Sequence, residues 1–328
     1  MNNDRIRAAI VGCGGIAQVH AESICKAPGV ELVACADVRR ERADAMAQTY
    51  GAAAFDSLEA MLRGAQFDVL HICTPHYLHA GMVELALSMG LSVFAEKPPV
   101  ISRAQLMRLL SLPGIDKVGI CFQNRWNPAT KLVQAHLQGG NLGAPLGIRA
   151  YVTWARGAEY YTQSGWRGTW ATEGGGVLIN QSIHTLDLMI QFLGIPTQVR
   201  AIMDNFHLDG VIEVEDTVAA YMRFGSAVGS FYATTAYAVD APVIIEIACE
   251  RGTLRIDGSD VGVFSGGEWQ FTKTEIPKEG EKAYWGNGHV RCIADYYECL
   301  RTGAPFASTF TQAIPTIECM LSIYESKA

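Results

Sequence analysis

Apolar positions along this 328-residue chain follow two textures. Up to residue 122, short apolar runs at residues 6–11, 31–36, 69–73, 92–95 and 118–122 predict strands, and stretches of helical spacing at 19–25, 40–50, 57–63 and 77–89 separate most of them. Strands that alternate with helices predict a parallel sheet wound on both faces, because a crossover helix must carry the chain back to start the next parallel strand. After a helix over residues 128–138 the texture changes. Ile148, Ala150, Val152 and Trp154 alternate with polar residues, and strand-like runs follow at 199–203, 218–224, 228–234 and 243–249, with shorter ones at 253–256, 261–264 and 269–272. Helical patterns are sparse there: 176–193, 290–301 and 313–325, the last with Pro315 in its first turn. The expected fold class is therefore α/β joined to α+β. A doubly wound parallel sheet occupies residues 1–122, and an open, mainly antiparallel sheet domain occupies residues 123–328.

The first turn carries chemistry. Gly12-Cys13-Gly14-Gly15-Ile16-Ala17 fits G-x-G-x-x-[GA] between a predicted strand and a predicted helix. Gly12 permits the tight turn, Gly14 lets the backbone approach a pyrophosphate, and small Ala17 lets the helix pack on the sheet, while the helix N-terminus faces the negative charge. Asp37 closes the second strand, where a carboxylate accepts hydrogen bonds from a ribose hydroxyl. Together these predict a Rossmann-type dinucleotide site for NAD. Arg39 and Arg40 follow directly and offer a grip for a 2′-phosphate, so NADP remains the alternative. Thr74 ends the next strand and is placed to touch the cofactor.

Composition narrows the partners. With 33 acidic and 26 basic residues the formal charge is −7, which argues against a general affinity for nucleic acid or an anionic membrane. Charge begins at Asp4, and the apolar run over residues 8–11 is too short for a leader; no stretch is apolar enough to span a bilayer. The nine cysteines form no C-x-x-C pair, which fits reduced residues of a cytoplasmic protein better than a zinc or disulfide framework. His71, His76 and His79 lack a matching carboxylate or thiolate set and are read as structural, and no metal is expected.

Two clusters remain. Phe94-Ala95-Glu96-Lys97-Pro98-Pro99 sets a charged pair at the end of an apolar strand, on the edge that carries the glycine loop; a lysine there can orient or deprotonate an alcohol. Gly174-Gly175-Gly176 leads into Asn180, His184 and Asp187. On a helix over 176–193 these three would form a polar stripe beside the buried residues Ile179, Ile183 and Leu186, suited to a pocket wall in which His184 takes a hydroxyl proton. Tyr160, Tyr161, Trp166 and Arg167 lie in a loop ahead of the glycines, and aromatics with arginine suit a polyol or an anionic sugar derivative.

Taken together, the Gly12 loop, Thr74-Pro75 with His79, Glu96-Lys97-Pro98, and the triple glycine leading to His184 and Asp187 resemble the glucose–fructose oxidoreductase and inositol dehydrogenase family, Gfo/Idh/MocA. The resemblance runs the length of the chain. It implies a dehydrogenase that moves hydride between NAD(P) and a carbinol carbon of a sugar, cyclitol, sugar phosphate or sugar nucleotide, with Lys97 and His184 handling the proton. It also implies that Gly15, Ile16, His79, Glu96 and Asn124 lie with the cofactor, that Arg125, in the segment after the last Rossmann strand, lies near the substrate, and that homodimers or homotetramers form through the second domain's sheet. Many members have aspartate where this chain has Asn180; an amide is no base, which leaves that task to His184, with Lys97. A regulator that binds sugar or NAD without turnover, and an NAD-dependent glycosidase, are the alternatives that the resemblance leaves open.

Overall fold

A computed structural model describes residues 5–275 and 288–326, so the charged start at Met1 to Asp4 lies outside the described residues. The chain folds into two compact units, Met1–Gln123 with His289–Ile314, and Asn124–Gly288 with Pro315–Ala328. They do not follow the continuous division at residue 122 expected from the sequence. Residues 289–314 return to the first unit because its edge strand needs partners: Phe310 N–H donates to the Val118 carbonyl at 2.7 Å, and Ile120 N–H to the Ser308 carbonyl at 2.7 Å.

In the first unit β1 (Ile6–Val11), β2 (Val30–Ala36), β3 (Ala53–Phe55), β4 (Val69–Ile72), β5 (Ser92–Ala95) and β6 (Gly119–Ile120) form a parallel sheet in the order β3-β2-β1-β4-β5-β6. The crossovers use α1 (Gly15–Lys26), α2 (Arg40–Tyr50), α3 (Leu58–Gly64), α4 (His76–Ser88) and α5 (Arg103–Leu110). Helix α5 escaped the periodicity reading, although Ser102 caps it by accepting from Gln105 N–H at 3.3 Å, the S-x-x-Q start signal. The strand order reverses between β1 and β4, which opens a crevice at their carboxyl ends.

The second unit holds α6 (Pro128–Gly139), β7 (Pro145–Thr153), α7 (Ala158–Thr162), α8 (Ile183–Leu193), and then β8 (Gln198–Asp204), β9 (Thr217–Phe224), β10 (Ala227–Thr234), β11 (Ile244–Cys249), β12 (Gly252–Asp257), β13 (Asp260–Ser265) and β14 (Glu268–Lys273). Its eight strands run in the order β14-β13-β12-β11-β7-β10-β9-β8, antiparallel except for the β7–β10 pair. One face is apolar and buried, with Ile148, Ala150, Val152, Val218, Ala220, Met222 and Phe231, as the period of two along each strand requires. The outer face exposes Tyr151, Ile202, Tyr221 and Val228.

Two long helices end the chain, α9 (Gly288–Thr302) and α10 (Phe310–Glu325). Because α10 begins at Phe310, Pro315 stands inside the helix rather than in its first turn, and one backbone bond is given up there. Among the described residues, no helix is long and apolar enough to cross a membrane.

Candidate active site

The residues after β1 form a cradle. Gly12 has φ +86°, and a Cβ there would lie 2.7 Å from the Cys73 backbone carbon, so only glycine lets this turn pass under the end of β4. At Gly14 the space around a Cβ is open to 4 Å, and α1 begins at the next residue with no side-chain cap on its N-terminus. Open space over backbone N–H groups at a helix N-terminus fits a pyrophosphate. Gly15 and Ile16 open α1, and Ala17 is fully buried against the sheet.

Asp37, 9 % exposed at the end of β2, accepts from Cys13 N–H at 2.7 Å and from Arg39 N–H at 2.8 Å. Its first task is therefore to fix the glycine turn, and a carboxylate has further lone pairs for a ribose hydroxyl. Arg39 is exposed ahead of α2. Thr74 is half-buried at the end of β4. His79 is buried and bridges two loops, with Nδ1 2.7 Å from the Pro98 carbonyl and Nε2 2.7 Å from the Thr74 carbonyl, while burial draws its pKa below the ordinary histidine value. Both ring nitrogens therefore face protein carbonyls.

Lys97 is half-buried just past β5, on the same sheet edge. Glu96, implied by the resemblance to lie with the cofactor, turns its side chain inward instead. It is 6 % exposed and hydrogen-bonded to His20 at 3.0 Å, so its side chain belongs to the interior. His20, His71, His76 and His79 are all buried. Ligand atoms of His20, Glu96 and Cys121 lie within 4.8 Å of one another. The sequence reading placed none of these three together, because they come from three separate crossovers.

In the second unit the expected helix over 176–193 begins only at Ile183. A Cβ on Gly176 would lie 1.9 Å from the Glu215 carbonyl oxygen, and the buried Glu215 carboxylate accepts from Gly176 N–H at 2.9 Å, Leu178 N–H at 3.0 Å and the Tyr324 hydroxyl at 2.9 Å. The glycines thus wrap a carboxylate instead of starting a helix. Asn180 sits in the turn ahead of α8, and half-buried His184 is the second residue of that helix.

Asn180 has a partner the sequence reading missed. Its Nδ2 donates to Glu173 Oε1 at 2.6 Å and to the Tyr160 hydroxyl at 3.4 Å, which turns Oδ1 away from Glu173. Glu173 is 0 % exposed and also accepts from Gly168 N–H at 2.6 Å. An acid directly before a glycine run was the available signal. Burial pushes Glu173 up to about 7 against the pull of these hydrogen bonds. The contribution of this residue to stability is full below the ordinary carboxylate value and falls as pH rises through about 7. Thermal unfolding from pH 4 to 8 is expected to show a downward step that Glu173→Gln removes; an unchanged pH dependence would refute the assignment.

Three expected substrate contacts are corrected. Arg125 and Asp187, 4 % and 1 % exposed in side chain, bind each other through Nη2–Oδ1 at 2.6 Å and Nε–Oδ2 at 2.8 Å, and the Thr316 hydroxyl donates to the same Asp187 Oδ1 at 2.7 Å. A fork-to-fork pair this deep is a strut. Asp187→Asn is expected to cost about 3–5 kcal/mol in denaturant unfolding, because it leaves the guanidinium buried without its counter-charge. Tyr161 is 3 % exposed, with its hydroxyl 3.3 Å from Thr235 Oγ1, so its neighbour Tyr160 lines the surface instead. Arg167 stacks 4.4 Å over the Tyr160 ring and 4.7 Å over Trp166, and Arg156 lies 5.4 Å from the Tyr160 ring. Tyr160 and Arg156 border an open recess of 540 Å³. Asn124 lies in the short turn before α6, its carbonyl accepting from the Thr130 hydroxyl at 2.7 Å.

Two family models match the chain. Residues 6–114 match the oxidoreductase family with an NAD-binding Rossmann fold, and residues 130–255 match the GFO/IDH/MocA C-terminal domain. A D-glucoside 3-dehydrogenase of Escherichia coli is 34% identical over 203 residues, 60% of this chain and 56% of that enzyme, so the likeness spans little more than half of the relative's length. An inositol 2-dehydrogenase of Rubrobacter xylanophilus is 27% identical over 78% of this chain and 72% of its own. The WlbA dehydrogenase of Bordetella pertussis, solved with NADH and UDP-GlcNAcA, superposes with a TM-score of 0.84 at 29% identity, covering 98% of this chain and 96% of that one.

Proposed function

Because the chain belongs to the GFO/IDH/MocA family of NAD-binding oxidoreductases, we propose that it is a dehydrogenase that oxidises a carbinol carbon of a sugar, cyclitol, sugar phosphate or sugar nucleotide. The observation that carries this reading is the open cradle at Gly14, pinned by Asp37, on the sheet edge that also bears Lys97. NAD+ bound there supplies the hydride acceptor. The glycine turn and the N-terminus of α1 hold the pyrophosphate, Asp37 takes the ribose, and Thr74 borders the same crevice. Proton handling falls to His184 and Lys97, the pair that the family resemblance implies: an imidazole that can accept the hydroxyl proton and an ammonium that can stabilise charge on an alkoxide. Asn180, its Oδ1 directed by Glu173, accepts from a neighbouring substrate hydroxyl.

Arg167 on the Tyr160 ring favours an anionic sugar derivative over a neutral polyol, whereas Arg156 is already paired with Asp240 at 2.7 Å. The WlbA complex, whose ligand is a nucleotide-linked sugar acid, fits that preference. Ile202, Tyr221 and Val228 on the outer face of the second sheet support a homodimer or homotetramer formed there. The nine cysteines, all unpaired, fit a cytoplasmic location. NAD+ reduction screened over neutral sugars, inositols, sugar phosphates, sugar acids and sugar nucleotides tests the reading, with turnover expected in the anionic classes. Failure to bind any nicotinamide nucleotide would end it.

A further inference from the structure

Inside the first unit a line of buried side chains runs from the end of β5 to α9. Glu96 Oε2 accepts the Lys97 backbone N–H at 3.2 Å, and Glu96 Oε1 lies 3.0 Å from His20 Nε2. His20 Nδ1 is 3.0 Å from His71 Nδ1, and His71 Nε2 is 2.7 Å from the Tyr297 hydroxyl. Both histidines are 0 % exposed and Tyr297 is 1 % exposed.

Donor counting restricts this line. A carboxylate only accepts, so His20 Nε2 carries a hydrogen, and the contact between the two Nδ1 atoms has room for a single hydrogen. With His71 neutral, as burial holds it, two arrangements fit these contacts. In one, a His20 imidazolium donates to His71, and His71 donates onward to Tyr297. In the other, neutral His20 accepts from His71, which accepts from Tyr297. They differ by one proton, and Glu96 is ionised in both. Burial works against a charge on His20, but Cys121 and Glu96 more than reverse this and push it up to about 9, while burial and the His20 charge hold His71 well below the ordinary histidine value. The ionised Glu96 carboxylate, 3.0 Å from His20 Nε2, favours the imidazolium arrangement. The other groups around Glu96 do not compete: His289, 3.9 Å away, is drawn down to about 4, and the Cys73 and Cys121 thiols are pushed upward, each by burial. His79, the further histidine that feels the Lys97 charge, is drawn down as well. The charged partners left to Glu96 are His20 and Lys97.

We propose that Glu96 and His20 form one positioning unit for Lys97: the buried carboxylate, kept ionised by the imidazolium behind it, anchors the Lys97 backbone and presents negative charge to its ammonium. Neither partner works alone, because a buried carboxylate without its counter-ion takes up a proton, and a buried imidazolium without its carboxylate gives one up. The role rests on the reading of Lys97 as the group that serves the substrate oxygen, but its test does not require turnover.

Competitive labelling with trace acetic anhydride, across a pH series on the protein without nucleotide or substrate, reads the Lys97 titration by mass spectrometry. Glu96→Gln and His20→Gln are each expected to move the Lys97 midpoint down by about one pH unit, a roughly tenfold rise in labelling at a fixed pH below it. The double variant should move it no further, and exposed Lys26 should not change. An unmoved midpoint in folded single variants, or shifts that add, would overturn the proposal. Should the variants fail to fold, ¹⁵N chemical shifts of the wild-type imidazoles decide: an imidazolium at His20 at neutral pH supports the unit, and a neutral ring there refutes it.

Discussion

Lys97→Ala and His184→Ala are each expected to lower kcat by about 10²–10⁴-fold, the range that a positioned proton-transfer group supplies. The expectation for binding differs between the two. Lys97 lies on the sheet edge with the glycine turn, so NADH affinity should fall a little on its loss. His184 lies in the second unit on the first turn of α8, and its loss should leave NADH affinity intact. Lys97→Arg should rescue little, since a planar fork does not replace a compact ammonium at one oxygen. Steady-state kinetics with fluorescence titration of NADH separates these effects. Wild-type kcat in either alanine variant would remove that residue from the chemistry.

The largest effect on cofactor binding is expected from Gly12→Ala. The added methyl would need to sit 2.7 Å from the Cys73 backbone carbon and 2.9 Å from Thr74 N, in a residue with φ +86°. A non-glycine residue in a disfavoured backbone region costs about 1–3 kcal/mol before the clash is counted. The contacting atoms are backbone of the neighbouring strand end and cannot rotate aside, so the turn itself must shift. We expect NADH affinity to drop by at least about tenfold, which takes only ~1.4 kcal/mol, together with a lower unfolding temperature. Gly14→Ala is the control with the opposite logic. Its methyl meets nothing within 4 Å, so stability should hold while the space for pyrophosphate is filled and binding falls. Equal NADH affinity in wild type and both variants would mean that the dinucleotide does not occupy this turn.

The two-sheet architecture was legible because hydrophobic period is a local property. Alternation at Ile148, Ala150 and Val152 needs no knowledge of the partner strands, and the spacing of Gly12 and Asp37 states a contact that the structure makes through Cys13 N–H. Distant pairings were not legible. The return of residues 289–314 to β6, the grip of Glu215 on Gly176 across 39 positions, and the Arg125–Asp187 strut across 62 all depend on long loops closing. The glycine run before Asn180 looked like a helix start because glycine serves both at helix ends and at close backbone approaches, and only the Glu215 carbonyl beside Gly176 decides between them.

The histidines show the same limit. His71 lay in a strand pattern and read as structural, and both it and His20 are buried. What the pattern did not carry is that they meet each other and Glu96, from α1, β4 and the end of β5. In the second unit, Asn180 in place of an aspartate was visible as a change of chemistry. Its hydrogen bond to Glu173, seven residues earlier, was not, because those residues form turns without a period.

The proposed reaction is hydride transfer from a carbinol carbon to nicotinamide. Its most direct test uses a substrate found by the NAD+ reduction screen, deuterated at the oxidised carbon, incubated with the protein and NAD+. We predict deuterium at C4 of the nicotinamide ring of the NADH formed, with the transfer suppressed in His184→Ala. Nucleotide binding with no transfer from any substrate class, or sugar hydrolysis without accumulation of NADH, would contradict this.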